Sequence, residues 1–148
     1  MKIYVAAPYA ARPMVAEFLG QIAAAGHEPI CRWADGTHPV GQAGNASEAT
    51  LDERITWGED DLEDIDRSHA VIVFTAEAAG IPPEQATSGG RHIETGYAIG
   101  KGKLVILVGQ PENIFHWLPE VYAATDGADA LDTLDTITRI RTAAGGAA

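Results

Sequence analysis

One cysteine, Cys31, stands in a chain of 148 residues. It excludes an internal disulfide and leaves no set of thiolates for a metal. Basic residues are scarce as well: 10 Lys and Arg face 21 Asp and Glu, a net charge of -11. Polyanions such as DNA and RNA are held by clustered Lys and Arg, so no nucleic-acid polymer is expected as a partner. A single phosphate is not excluded, because a few backbone N–H groups and one arginine suffice for it. No apolar run approaches the roughly 20 residues of a membrane span. The opening "MKIYVAAPYAARP" meets charge and proline too soon for a secretory segment. A soluble, cytoplasmic protein with no membrane partner is the expectation. The histidines, His27, His38, His69, His92 and His116, show no metal-ligand spacing, and Walker, G-x-G-x-x-G and G-x-S-x-G patterns are absent, so neither metal nor cofactor is expected.

What the chain does have is alternation. "KIYVAA" reads as a strand, "PYAARP" as a loop and "MVAEFLGQIAAAG" as a helix stopped at Gly26. "HEPICRW" reads as a short second strand, followed by the long polar loop "ADGTHPVGQAGNAS". Leu51, Ile55, Leu62 and Ile65 mark one face of a helix over 50–67, with Asp60, Asp61, Glu63 and Asp64 crowded along its later turns. "HAVIVFTA" and "KLVILVG" are continuous apolar runs of the kind covered on both faces. A helix containing Glu94 lies between them. "PENIFHWLPEVYAA" reads as a short helix and a weak strand near Val121, and a last helix runs from Ala128 to Thr142. One domain over 1–142 with a disordered tail over 143–148 follows. Alternating strands and helices imply an α/β, three-layer, flavodoxin-like or Rossmann-like fold around a five-stranded parallel sheet, order 2-1-3-4-5. Its ligand crevice lies where the order reverses, between strands one and three, walled by the loops at 6–14, with Pro8, Tyr9 and Arg12, and at 75–90.

Glu94 follows the second of those loops. Acids early in a helix complement its dipole, yet this one sits where the topology puts the crevice, as a nucleophile, a base or a ligand to sugar hydroxyls. Ser88, Gly89 and Gly90 present backbone N–H groups at a helix start, an anion-holding turn or simply a Ser/Gly helix beginning. Arg91 or Arg12 can supply a counter-charge to phosphate. The acidic run reads by default as a solvated face, from which Asp61 is set apart because it flanks the stripe of Gly58, Leu62 and Ile65. Tyr4, in the first strand, needs a partner for its hydroxyl if buried, and a crevice carboxylate would serve.

"KIYVAAPY", "DDLEDIDRSHAVIVF" and "GGRHIETGYAIGKGKLVILVG" together resemble the nucleoside 2-deoxyribosyltransferase family, from Lys2 to about Val121. The most specific part is the order of Tyr4, then Asp-Leu-x-x-Ile before strand three, then Glu-x-Gly-Tyr-Ala and Gly-Lys before strand four. The resemblance implies cleavage of the N-glycosidic bond of 2'-deoxynucleosides and transfer of the sugar to another nucleobase. It makes Glu94 the nucleophile that forms a deoxyribosyl ester, Tyr4 the group that holds it, and Asp61 the contact or proton donor for the departing base. It also implies a homodimer or higher homo-oligomer, in which Asn113 reaches the 5'-hydroxyl in a neighbour's site. Two features depart from the pattern. Ser88 stands six residues before Glu94, where the transferases usually carry aspartate. In a related branch, the 2'-deoxynucleoside 5'-monophosphate N-glycosidases, a serine there holds the 5'-phosphate and the base is released to water; Ser88, Gly90 and Arg12 suit that substrate, whereas Asn113 suits a free hydroxyl. The tail "RTAAGGAA" offers no anchor for the neighbouring site. Hydrolysis of deoxynucleotides is therefore the alternative, and a non-catalytic nucleotide-binding module is the alternative of another class. The loops at 34–48 and 76–87 are expected to set base choice.

Overall fold

Two runs of aliphatic residues make the middle of the sheet: Ala70–Phe74 (β3) and Leu104–Val108 (β4), buried at every position. A strand shielded on both faces has no reason to alternate, which is why these runs are unbroken in the sequence. In this computed structural model residues 1–35, 49–86 and 89–145 are described. The other strands are Lys2–Ala6 (β1), Glu28–Pro29 (β2) and Val121–Ala124 (β5). The helices are Arg12–Ala24 (α1), the single turn Arg32–Asp35 (α2), Leu51–Arg67 (α3), Gly90–Gly100 (α4) and Gly127–Gly145 (α5). All strand pairs are parallel and the order is β2-β1-β3-β4-β5, a flavodoxin-like α/β sheet.

Local chemistry explains the helix ends. Pro13 lies in the first turn of α1, where its missing N–H is harmless, and Gly26 leaves the helix at φ 84°. Thr50 and Glu53 close a reciprocal capping box at the start of α3. Gly109, after β4, has φ 99°, and a Cβ there would fall 2.3 Å from Thr75 Oγ1, so only glycine lets β4 turn beside the end of β3. Right-handed crossovers put α3 and α4, which pack together over β1, β3 and β4, on one face. The opposite face carries α1, whose Phe18 meets Phe74 edge-on with ring centroids 5.0 Å apart and also abuts Gly127 at the start of α5.

The second strand is shorter than its sequence suggests. Pairing with β1 covers Glu28 and Pro29, Ile30 N–H adds one bond to the Ile3 carbonyl at 2.8 Å, and the chain then coils into α2. The Arg32 N–H donates to Asp64 Oδ2 at 2.9 Å and Trp33 Nε1 donates to the Val5 carbonyl at 2.9 Å. These bonds to α3 and β1 override the β-type composition of "HEPICRW". At the other end α5 runs past Thr142 to Gly145, and residues 146–148 lie outside the described residues, as do most of the loop at 34–48 and Thr87.

Candidate active site

The strand order reverses between β1 and β3, the place at which sheets of this kind hold a ligand outside the carboxyl ends of their strands. Three candidates from distant parts of the chain meet beneath it. Tyr4, fully buried in β1, donates its hydroxyl hydrogen to Glu94 Oε1 at 3.0 Å. Asp61 descends from α3 and also engages the Tyr4 hydroxyl. The phenol thus binds one carboxyl group and lies close enough to the second for their charges to act on each other. Burial drives Tyr4 well above the ordinary phenol range, with both carboxylates adding to the rise, so it stays a neutral donor.

Both acids are displaced in the same direction. Glu94 is pushed up to about 8, first by desolvation and then by the charge of Asp61, against a pull from the Tyr4 hydrogen bond and Arg91. Asp61 is pushed up to about 7, first by desolvation and then by Asp64 and Asp60, against Arg32 and Tyr4. Groups this close titrate as a pair. Near neutral pH the pair passes through a state holding one proton, with one carboxylate able to attack and one acid able to donate.

The rest of the crevice comes from the loop after β1 and the start of α4. Pro8 leads into a 3₁₀ turn over Tyr9–Ala11, its carbonyl accepting from Ala11 N–H at 2.8 Å. The Tyr9 ring lies against Trp33 with centroids 6.2 Å apart, and Arg12 Nη1 donates to the Tyr9 hydroxyl at 3.3 Å. Gly89 caps α4 in the left-handed region at φ 64°, where a side chain would be strained, and Gly90 is the first helical residue. Ser88 lies outside the described residues. Two residues that sequence reasoning did not select also belong here. Cys31 donates to the Val5 carbonyl at 3.5 Å, and its thiol, raised first by burial, also feels Glu94 and Asp61. Arg32 binds Asp60, Glu63 and Asp64 at 2.7, 2.8 and 2.9 Å. The acidic run is thus a clamp around one arginine, with Asp64 buried, and not merely a solvated face. Its signal in the sequence was the excess of acid itself, which needs a cation wherever it is buried.

Arg91 is committed elsewhere, bound to both Glu112 oxygens at 2.7 and 3.1 Å and to the Ala86 carbonyl at 3.1 Å. It is not available to a phosphate. Asn113 also stands apart. It caps the 3₁₀ turn Ile114–Trp117 and touches His92 and His116, on the side of α4 turned away from Glu94. Among the described residues no group of three or more His, Cys, Asp or Glu is placed to hold a metal ion, and no helix is long and apolar enough to cross a membrane.

Comparison with known proteins agrees with this frame. No family model matches the chain, and no curated protein is significantly similar to it in sequence. Among solved structures, the Clostridium botulinum CMP N-glycosidase BcmB superposes with a TM-score of 0.52 at 18% identity, over 92% of this chain and 99% of that one. At that identity the likeness concerns the fold. This chain therefore shares its overall fold with that N-glycosidase.

Proposed function

We propose that this chain is an enzyme that cleaves the N-glycosidic bond of a 2'-deoxynucleoside and passes the deoxyribosyl group to another nucleobase. The observation that carries the reading is the Tyr4 hydroxyl, 3.0 Å from Glu94 Oε1 and engaged by Asp61 as well. A pure binding module has no need of two carboxyl groups with raised pKa values around one orienting hydroxyl. A glycosidase has.

The reactive arrangement of the one-proton state has Glu94 ionised and Asp61 protonated. It is the less populated of the two, because Glu94 holds its proton to about 8 and Asp61 to about 7. From it the Glu94 carboxylate attacks C1' while Asp61 gives its proton to the departing base nitrogen. The C1'–N bond breaks, its electron pair leaves with the base, and a deoxyribosyl ester forms on Glu94. Tyr4 holds the attacking oxygen in place. The nitrogen of an incoming base then attacks C1', Glu94 departs as carboxylate, and Asp61 recovers a proton. Asn113 serves the 5'-hydroxyl of a neighbouring copy's substrate, in keeping with its position away from its own Glu94.

The second reading, hydrolysis of a nucleoside 5'-monophosphate, is favoured by the substrate in the name of the structural neighbour, CMP. Ser88, Gly89, Gly90 and Arg12 are the residues that would meet the phosphate. A paired assay separates the two. Purified protein is given deoxycytidine or its 5'-monophosphate, with and without free adenine, and the products are resolved by chromatography. Deoxyadenosine formed from deoxycytidine is the expected result. Free cytosine from the monophosphate alone, indifferent to adenine, sinks transfer in favour of hydrolysis, and turnover that survives Glu94→Gln sinks the catalytic assignment.

A further inference from the structure

The turn of α3 that carries Asp61 is gripped from outside the helix by one side chain. Arg32 Nη2 donates to the Asp60 carbonyl at 2.8 Å, and that carbonyl belongs to the peptide group joining Asp60 to Asp61. Nη1 donates to Asp60 Oδ1 at 2.7 Å and Nε to Asp64 Oδ1 at 2.9 Å. The Arg32 backbone N–H takes the other oxygen, Asp64 Oδ2, at 2.9 Å. Asp64 is fully buried, so one residue matches both oxygens of a carboxylate that has no water to turn to. The further bond to Glu63, whose side chain is 58% exposed, adds little. Arg32 thus holds the chain on both sides of Asp61.

The neighbours of Arg32 in the chain are fastened to β1. Trp33 Nε1 donates to the Val5 carbonyl at 2.9 Å and Cys31 Sγ donates to the same oxygen at 3.5 Å, one position after Tyr4. Three consecutive residues therefore bridge the strand that carries Tyr4 and the turn that carries Asp61. The length of that bridge matters to the site, because Tyr4 binds Glu94 and the charge of Asp61 acts on both. Arg32 also opposes the effect of Asp60 and Asp64 on the Asp61 carboxyl. Its Nε, Nη1 and Nη2 are all engaged by α3, so the guanidinium acts on the reaction through Asp61 and not on a substrate. We propose that Arg32 is a positioning residue: tied to β1 through Cys31 and Trp33, it sets where Asp61 stands relative to Tyr4 and Glu94, and so governs proton donation to the departing base. The role rests on the glycosidic reading.

The test is Arg32→Lys, which keeps a cation beside Asp64 but gives up the fork that spans Asp60, its carbonyl and Asp64. Two substrates are compared, deoxycytidine and 5-fluorodeoxycytidine, whose more acidic base leaves with less help from an acid. With Asp61 out of place, kcat/KM is expected to fall roughly tenfold to hundredfold for deoxycytidine and by a smaller factor for the fluorinated substrate. Equal losses on both, or no loss, overturn the proposal, since a merely structural arginine weakens the enzyme whatever the leaving group. A crystal structure of the same variant gives a reading that needs no turnover: the Asp61 carboxyl is expected to shift relative to the Tyr4 hydroxyl by about 1 Å or more, and an unmoved Asp61 overturns the proposal. Where Arg32→Lys does not fold, Trp33→Phe removes the bond to Val5 while keeping a ring. A smaller loss with the same dependence on the leaving group is then expected, and its absence overturns the proposal. An unmodified protein that turns over no deoxynucleoside sinks the glycosidic reading alone, and the crystal structure still decides whether Arg32 sets the place of Asp61.

Discussion

Two glutamates, Glu94 within α4 and Glu112 in the turn after β4, end in opposite states. Glu112 loses solvation too, yet the Arg91 guanidinium on both of its oxygens and the Ala76 N–H on one hold it below the usual carboxylate range. Glu94 accepts from the Tyr4 hydroxyl and feels Arg91 more weakly, while burial and the like charge of Asp61 outweigh both, and it rises to about 8. Desolvation is common to both. A directly bound cation separates them: Glu112, which has one, stays ionised as a structural staple, and Glu94, which feels Arg91 only at a distance, keeps its proton to about 8. Glu112 ties the loop after β3 and the start of α4 to the turn after β4, and so helps to place the helix that carries Glu94.

Removing the reactive member is the strongest way to break this contrast. Glu94→Gln is expected to lower kcat by about a thousandfold or more, measured by release of base from deoxynucleosides, because the proposed ester forms on this carboxylate. The matching change in the staple acts on stability instead. Arg91→Met leaves Glu112 half-buried and unpaired, at a cost of about 2–4 kcal/mol in denaturant unfolding. Glu112→Gln leaves the Arg91 guanidinium, the more deeply buried partner, without its anion and is expected to cost a similar amount; no loss from either change would mean that the pair is not the staple described.

Smaller effects sharpen the same contrast. Tyr4→Phe removes the hydrogen bond that favours the ionised form of Glu94, so kcat/KM is expected to fall roughly tenfold to a hundredfold. The acid limb of its pH profile moves upward. In the unmodified protein that profile is bell-shaped: below about 7 the pair holds both protons and Glu94 cannot attack, and above about 8 both groups are ionised and Asp61 cannot donate. A rate flat from pH 5 to 9 excludes the shared-proton mechanism. The smallest effect is on stability. A carboxyl whose folded pKa is raised weighs on the fold increasingly as pH climbs from its unfolded value, near 4.5, to its folded value, about 8. Glu94→Gln is therefore neutral in acid and stabilising above pH 8, by about 1 kcal/mol, since the partly exposed site is screened. Thermal melts across pH check the sign.

Sequence alone determined the sheet and its order, because β3 and β4 are short apolar runs that nothing but a doubly covered parallel strand accommodates, and glycine and capping residues punctuate the helices between them. It also singled out Tyr4, Asp61 and Glu94, since position relative to the strand ends is a local property of the chain. It did not reveal that Tyr4 bonds Glu94 with Asp61 near by, that Arg91 is consumed by Glu112, or that Arg32 gathers Asp60, Glu63 and Asp64. Those pairings join residues 21 to 90 positions apart, and distance through the chain carries no information about distance through space. The pKa values follow the same division. Which residues can ionise is written in the sequence; which of them are buried beside a cation, and which beside another acid, was decided only when β1, α3 and α4 packed together.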